Sequence, residues 1–385
     1  MSTLRVNTLQ STSTTDGGIS IDTSGHVTVD GVVMPSSGPL SNRNRIINGD
    51  MRIDQRNAGA SVSGTSVYPV DRFRVDELTD GVTSCQQVSD APAGFSYSLK
   101  VTTTTADASL GAAQYCRTRH RIEGYQIADF GWGTADAKAV TLSFWVKSSL
   151  TGTFGGALSN SAANRNYGIE YAISSANTWE YKTITIPADT SGTWLTTNGI
   201  GIRLDFGLGV GTDYSTATAG SWTSTSNALT TTTAGLVSVI GTLNATWQIT
   251  GVQLEAGSVA TPFEHRSYGD ELARCQRYYA KTYAHETVPQ TITEVGALCS
   301  SVSASFAYAS PGTWQFPVTM RAIPTVLIYS TATGNTGQIT SDSTDGPGVV
   351  NDTGDRSAFI FRNNSSAGVV VNSFIRVQAV ANAEL

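Results

Sequence analysis

The sequence predicts an all-β, mostly antiparallel protein: a jelly-roll β-sandwich, a smaller C-terminal β-sandwich and one short connecting helix. Three observations carry that prediction. Short runs with an apolar residue at every second position recur through most of the 385 residues, the period of a strand with one buried face. Clusters of Gly, Ser, Asn and Asp separate the runs, as turns require. The apolar spacing of an amphipathic helix appears in a single stretch near residue 270.

Residues 1–44 form the first unit. The alternating runs Ile19–Ile21 and Val27–Val29 flank Thr23–His26 and read as a hairpin. One hairpin is marginal alone, so this segment is expected to attach and oligomerise, against other copies of itself or another protein. Pro35–Pro39 reads as a linker. Residues 45–266 are the jelly-roll unit. Thr141–Lys147 places Leu142, Phe144 and Val146 on one face, and Thr183–Pro187, Gly199–Phe206 and Trp247–Leu254 repeat the pattern.

Residues 267–285 read as the helix, capped by Asp270, with Leu272, Cys275, Tyr279 and Tyr283 near one face and an end near Thr282–His285. Residues 286–385 return to strands: Ala322–Tyr329, Ser357–Phe361, Val369–Val371 and Phe374–Val377. No fixed repeat is present, which argues against a β-helix or propeller.

Charged residues are 14% of the chain, against about a quarter in ordinary soluble domains. The net charge of -6 comes without a basic stripe, so nucleic acid is not an expected partner. No apolar run approaches the ~20 residues that span a bilayer, and the N-terminus lacks a charged-then-apolar secretory pattern. Synthesis in the cytoplasm without membrane insertion is expected. Cys85, Cys116, Cys275 and Cys299 are far apart and form no CxxC pair, so reduced, mostly buried thiols are expected rather than zinc or a disulfide scaffold.

Chemistry is sparse. None of His26, His120, His265 and His285 sits in an HExxH or GxSxG context. His120 lies in Arg117–Arg121, a cluster that either contacts an acidic partner or, the favoured reading, lies on a solvated edge strand. Glu170, Asp205 and Asp213 could serve a glycosidase only as a facing pair, which spacing does not establish. Asp342, Asp345, Asp352 and Asp355 invite a calcium reading, but their order is not that of an EF-hand loop, and Asp beside Gly is ordinary turn chemistry. The chain is therefore expected to be no enzyme, with no catalytic residues, no metal and no cofactor.

The aromatics are the candidate binding residues. Trp145 follows Phe144, so alternation sends it to the face opposite Leu142 and Val146, where an indole offers a flat surface to a sugar ring; packing under a loop or another chain is the alternative. Trp194 and Trp222 sit in turn-rich stretches, where binding residues concentrate. On that reading, removing either leaves stability unchanged.

Three stretches resemble structural proteins of tailed bacteriophages. Arg45–Arg56 with Tyr68–Phe73 resembles the opening of their β-sandwich domains. Trp247–Gly257, with Thr261–His265 and Ala273–Tyr279, is similar to a closing strand and following helix, and Phe316–Thr325 to the start of a C-terminal domain. The Leu142–Lys147 stretch also resembles jelly-roll carbohydrate-binding modules. The resemblance implies a tail fibre or related appendage of a marine, cyanophage podovirus-like phage. It further implies a homotrimer held to other tail or adaptor proteins through residues 1–44, meeting a host surface polysaccharide. A head fibre, a tail adaptor without receptor binding and a secreted lectin are the alternatives at this stage. The family supplies no catalytic set.

Overall fold

In the computed structural model, which describes residues 8–10, 18–232, 234–302, 308–342, 344–363 and 373–385, the chain forms two compact units. One comprises residues 1–51, 63–67 and 73–265; the other comprises 52–62, 68–72 and 266–385. The expected strand Val369–Val371 lies outside the described residues.

The first unit begins with a small antiparallel sheet, β1 (Thr8–Gln10), β2 (Gly18–Ile21), β3 (Val27–Val29) and β4 (Val32–Val33), joined in that order. Register puts Leu9 opposite Ile19, Ile19 opposite Val29 and Val29 opposite Val32. Directly opposed residues share a face, so an apolar row crosses all four strands. Leu9, Ile19, Ile21 and Val32 on that face are each more than 40% exposed.

β5 (Val62–Ser63) and β6 (Val67–Val70) follow, on the stretch where the chain passes between the units. The sandwich is built from β7 (Phe73–Leu78), β8 (Val82–Val88), β9 (Ser98–Thr105), β10 (Tyr115–Glu123), β11 (Val140–Ser148), β12 (Gly152–Ser159), β13 (Asn166–Ile173), β14 (Glu180–Ile186), β15 (Ile200–Val210), β16 (Trp222–Thr223) and β17 (Thr246–Ala256). One sheet runs β16-β13-β12-β15-β10-β7 and the other β14-β11-β17-β9-β8. The strands of both sheets pair antiparallel, for instance β10 with β15 and β11 with β17. The chain is thus a jelly-roll sandwich here, as its periodicity predicts.

Leu142, Phe144 and Val146 point between the sheets and are fully buried. Phe144 meets Phe206 and Tyr171 of the opposite sheet at 5.2 and 5.1 Å between ring centroids. Trp247 is fully buried too, and its indole N–H donates to the Tyr171 hydroxyl at 3.1 Å. That bond satisfies both polar tips in an otherwise apolar core, while burial pushes the Tyr171 phenol well above its usual value.

The Arg117–Arg121 segment corrects the edge-strand expectation. It lies in β10, an interior strand between β7 and β15. His120 is fully buried and its ring packs on Phe73 at 4.8 Å. On the opposite face Arg119 forks onto Asp205 with bonds of 2.7 and 3.0 Å, and Arg117 donates twice to Asp76 at 3.2 and 3.1 Å. Charges at every second position here mark paired, buried guanidinium groups rather than a solvated face.

The second unit contains α1 (Tyr268–Gln276) and β18 (Tyr279–Lys281), β19 (Leu298–Ser301), β20 (Tyr308–Gln315), β21 (Thr325–Tyr329), β22 (Gln338–Ser341), β23 (Thr344–Asn351), β24 (Ser357–Asn363) and β25 (Phe374–Asn382). β25 organises this smaller β-sandwich. Its C-terminal half pairs with β18 and β21, and its N-terminal half with β19 and β22. Ile328, Ile339, Ile360, Ile375 and Val377 fill the core between the strands.

Two helix expectations are corrected. The N-cap is Ser267, whose hydroxyl accepts from the Asp270 amide at 3.2 Å, while Asp270 lies inside the first turn. The helix also stops at Gln276, because Tyr279–Lys281 pairs with β25; ladder bonds there replace a further helical turn.

The parts of Arg45–Arg56 and Tyr68–Phe73 that fall in this unit have a local structural role. The Asp54 carboxylate accepts from the amides of Arg56, Asn57 and Gly59. Arg56 pairs with Asp71 and Glu384, and Arg72 also pairs with Glu384. Tyr279 and Tyr278 lie under these two guanidinium groups at 3.7 and 3.5 Å. Arg56 and Arg72 therefore tie Glu384, next to the C-terminal residue, to this stretch. Asp342 and Asp352 both adopt positive φ, as turn residues. The four cysteines are free; Cys85, Cys116 and Cys275 are buried, whereas Cys299 is exposed.

Candidate carbohydrate-contact face

The outer face of the β14-β11-β17-β9-β8 sheet is sealed at one end and open at the other. At the sealed end, Gln253 and Glu255 point away from the core yet are fully buried. Glu255 accepts from the Thr261 amide at 2.8 Å and the Thr261 hydroxyl at 2.7 Å, and Gln253 donates to Glu255 at 2.9 Å. Arg43 adds an ion pair to Glu255 at 3.5 Å. These contacts lay residues 258–264 over the sheet and account for the polar pattern within Trp247–Gly257.

Trp145 stands at the open end. The structure places it on the face opposite Leu142 and Val146, half-buried. It is directly opposed across strands by Tyr181, which is 43% exposed, and the two rings lie 5.3 Å apart at 46°. Beside them Trp179 carries Lys147 Nζ 5.0 Å from its ring centre. Lys147 is held by an ion pair to Asp90, and the Trp179 N–H reaches the same carboxylate at 3.4 Å. The Lys147 ammonium holds the Asp90 carboxyl below its usual range.

Gly251 makes the arrangement possible. The β11–β17 register shifts between Ser143 and Trp145, a bulge that Gly251 occupies at φ 62°. Bulges re-aim neighbouring side chains. A Cβ at Gly251 would lie 2.8 Å from the Phe95 ring and 3.1 Å from the Trp145 indole, so both rings rest on bare backbone. In the strand rows next to Trp145 and Lys147, Thr250 Oγ1 and Gln248 Oε1 are buried without a hydrogen-bond partner among the described residues.

Trp194 and Trp222 belong elsewhere. With Trp132 they form a cluster with centroids 4.6–5.5 Å apart. Trp194 is only 7% exposed, and its N–H donates to Asp189 at 3.0 Å. The same Asp189 takes a forked Arg165, whose guanidinium lies 5.6 Å from the Trp222 ring. Trp222 is half-buried and donates to the Pro187 carbonyl at 2.9 Å. Trp194 is thus packed within this cluster, and its removal is expected to cost stability. Trp145 is not joined to this cluster by any ring contact. Sequence reasoning missed Tyr181, Trp179 and Phe95. A signal for Tyr181 was present, since it continues the alternation of β14 one pair upstream, and the lone Gly251 inside a strand marks the bulge.

Two of the three candidate carboxylates are engaged in structure, whereas Asp213 is exposed. Asp205 is fully buried against Arg119, and Glu170 accepts the Thr231 hydroxyl at 2.6 Å.

No family model matches the chain, and no curated protein matches it. Solved structures with β architecture do. The enzymatically active domain of tailspike protein 4 of bacteriophage CBA120 is similar at 12% identity and a TM-score of 0.30, over 56% of this chain and 22% of that one; the chain therefore spans well under two thirds of it. A putative sugar binding protein from Bacteroides thetaiotaomicron is similar at 11% identity and a TM-score of 0.30, over 56% of this chain and all of the other. A family 61 carbohydrate-binding module in complex with β-1,4-galactotriose is similar at 10% identity and a TM-score of 0.27, over 56% and 99% of the two chains.

Proposed function

We propose that this chain is a structural, glycan-binding subunit of a tailed-phage virion, a homotrimeric tail fibre that contacts a host surface polysaccharide. The observation that carries the binding role is the Trp145–Tyr181 pair on a sheet whose inner face is already filled by Phe144 and its neighbours. Core packing needs nothing from these outward rings, and sugar rings stack on such faces through their apolar C–H groups. The engagement of Asp205 and Glu170 in ion-pair and hydrogen-bond networks favours binding over hydrolysis. The sequence stretches resembling phage appendage proteins carry the virion assignment, with the tail as the place of the protein.

One stacked sugar contributes about 0.5–1.5 kcal/mol beyond area burial, so a single site binds near ~1 mM, or about 4 kcal/mol. Three copies in a trimer raise the avidity by orders of magnitude without new contacts. Adsorption gives the test: purified chain is expected to bind host cells and to block infection, with no release of reducing ends from host polysaccharide. Unimpeded infection at saturating protein, or new reducing ends lost on a single Asp or Glu substitution, contradicts this reading.

The trimer rests on the exposed apolar residues Leu9, Ile19, Ile21 and Val32. Burying them against two further copies removes apolar surface from water at about 25 cal/mol per Å². Sedimentation is expected to give three chains for the wild type and a shift to monomer for the double substitution Ile19→Ser, Ile21→Ser. A monomeric wild type at micromolar concentration would sink the trimer.

A further inference from the structure

The opposite outer face of the sandwich carries a second site of different chemistry. A cleft of about 220 Å³ opens beside Arg117, Arg119 and Arg203, with Tyr115 and Tyr214 on its wall. Two strands place the guanidinium groups side by side: Arg119 is opposed to Asp205, and Arg121 to Arg203. Arg74, Arg117 and Arg119 lie near Arg203 on this face, together with the carboxylates of Asp76 and Asp205.

Those two carboxylates are already used. Asp205 takes the fork of Arg119, and Asp76 takes Arg117 and Arg74. Arg203 is left over. Its Nη2 donates to the Ser161 carbonyl at 2.5 Å, its Nε is buried without a partner, and no carboxylate among the described residues lies within ion-pair distance. Burial and then the nearby Arg119 disfavour the Arg203 cation; Asp205 offsets part of this, and Arg117 and Arg74 add to it. An anion in the cleft would relieve that repulsion, and a guanidinium fork matches a carboxylate with two parallel bonds.

The wall is suited to a ring. Tyr115 and Tyr214 pack edge to face at 5.3 Å, and Arg117 lies 4.6 Å from the Tyr115 ring centre. The loop bearing Tyr214 is pinned: the Leu229 amide donates to the Tyr214 carbonyl at 2.8 Å, and the Asn227 amide to Ala163 at 2.7 Å. Asn227 stands exposed at the rim.

We infer that the Arg203 cleft binds the carboxylate of an acidic sugar, with Arg203 as the anion contact and Tyr115 and Tyr214 beside the sugar ring. The choice of a sugar rests on the glycan-binding reading above, but the site is on the other sheet and its failure is separable. Glucuronate, galacturonate and N-acetylneuraminate would be titrated into the full chain, each against its neutral counterpart, with inorganic phosphate as a further arm.

At least one acid is expected to bind with a Kd near ~1 mM and at least about tenfold tighter than its neutral counterpart, the effect of one ~1.4 kcal/mol contact. Arg203→Met is expected to abolish that preference. Asn227→Asp provides the check if Arg203→Met fails to fold. It changes an exposed position at φ 53°, a conformation Asp tolerates, and is expected to weaken the acids and spare the neutral sugars. Trp145→Ala is expected to leave the preference intact. Equal binding of acid and neutral sugars, no acid binding up to about 50 mM (well above the Kd expected for one contact), an unchanged preference in a folded Arg203→Met, or phosphate binding tighter than all three acidic sugars would each overturn the assignment.

Discussion

Replacing Asp205 by alanine is expected to destabilise the sandwich by about 3–5 kcal/mol, the loss typical when one partner of a buried ion pair is removed. Asp205 is fully buried, Arg119 is 5% exposed, and their two bonds lie in the middle of the β10–β15 ladder. Alanine strands the Arg119 cation, with Arg117 already 3.6 Å from the same carboxylate. Chemical denaturation of Asp205→Ala would read the loss, and a change under about 1 kcal/mol would show that water reaches the face.

The neighbouring Asp76 gives the pH dependence. Burial pushes its carboxyl up, but Arg117, Arg74 and Arg119 more than offset this, and it titrates below its usual value. Its stabilisation is therefore fully present above about pH 4, the unfolded value, and is lost as pH falls through the folded value. Asp76→Asn is expected to flatten the acid limb of the wild-type stability curve.

Trp194→Ala is expected to cost about 3–5 kcal/mol, as large-to-small changes at buried aromatics do. The residue fills the space between Trp132 and Trp222 and holds Asp189 for Arg165. Trp145→Ala, half-buried on an outer face, is expected to cost much less. Thermal unfolding of both variants separates packing from binding: equal losses would mean that Trp145 is also core.

Much of this was legible because strand periodicity is local. Leu142, Phe144 and Val146 announce a buried face within seven residues, and the hairpin at residues 18–29 needs only its own turn. What escaped depends on distant partners. Arg117 and Arg119 read as solvated because Asp76 and Asp205 lie 41 and 86 positions away. Trp194 read as a loop contact because nothing local reports that Trp132 and Trp222 close over it. The helix end was misplaced because Tyr279 and Tyr283 continue the helical spacing while pairing with β25 decides the backbone.

The glycan-contact claim is tested most directly by calorimetric titration of neutral oligosaccharides from the host surface into the full chain. Wild type is expected to bind, Trp145→Ala to lose binding by at least about tenfold while remaining folded, and Tyr181→Ala to weaken it. Trp222→Ala is expected to bind as wild type does. Undiminished binding by a folded Trp145→Ala protein would contradict the assignment of this face.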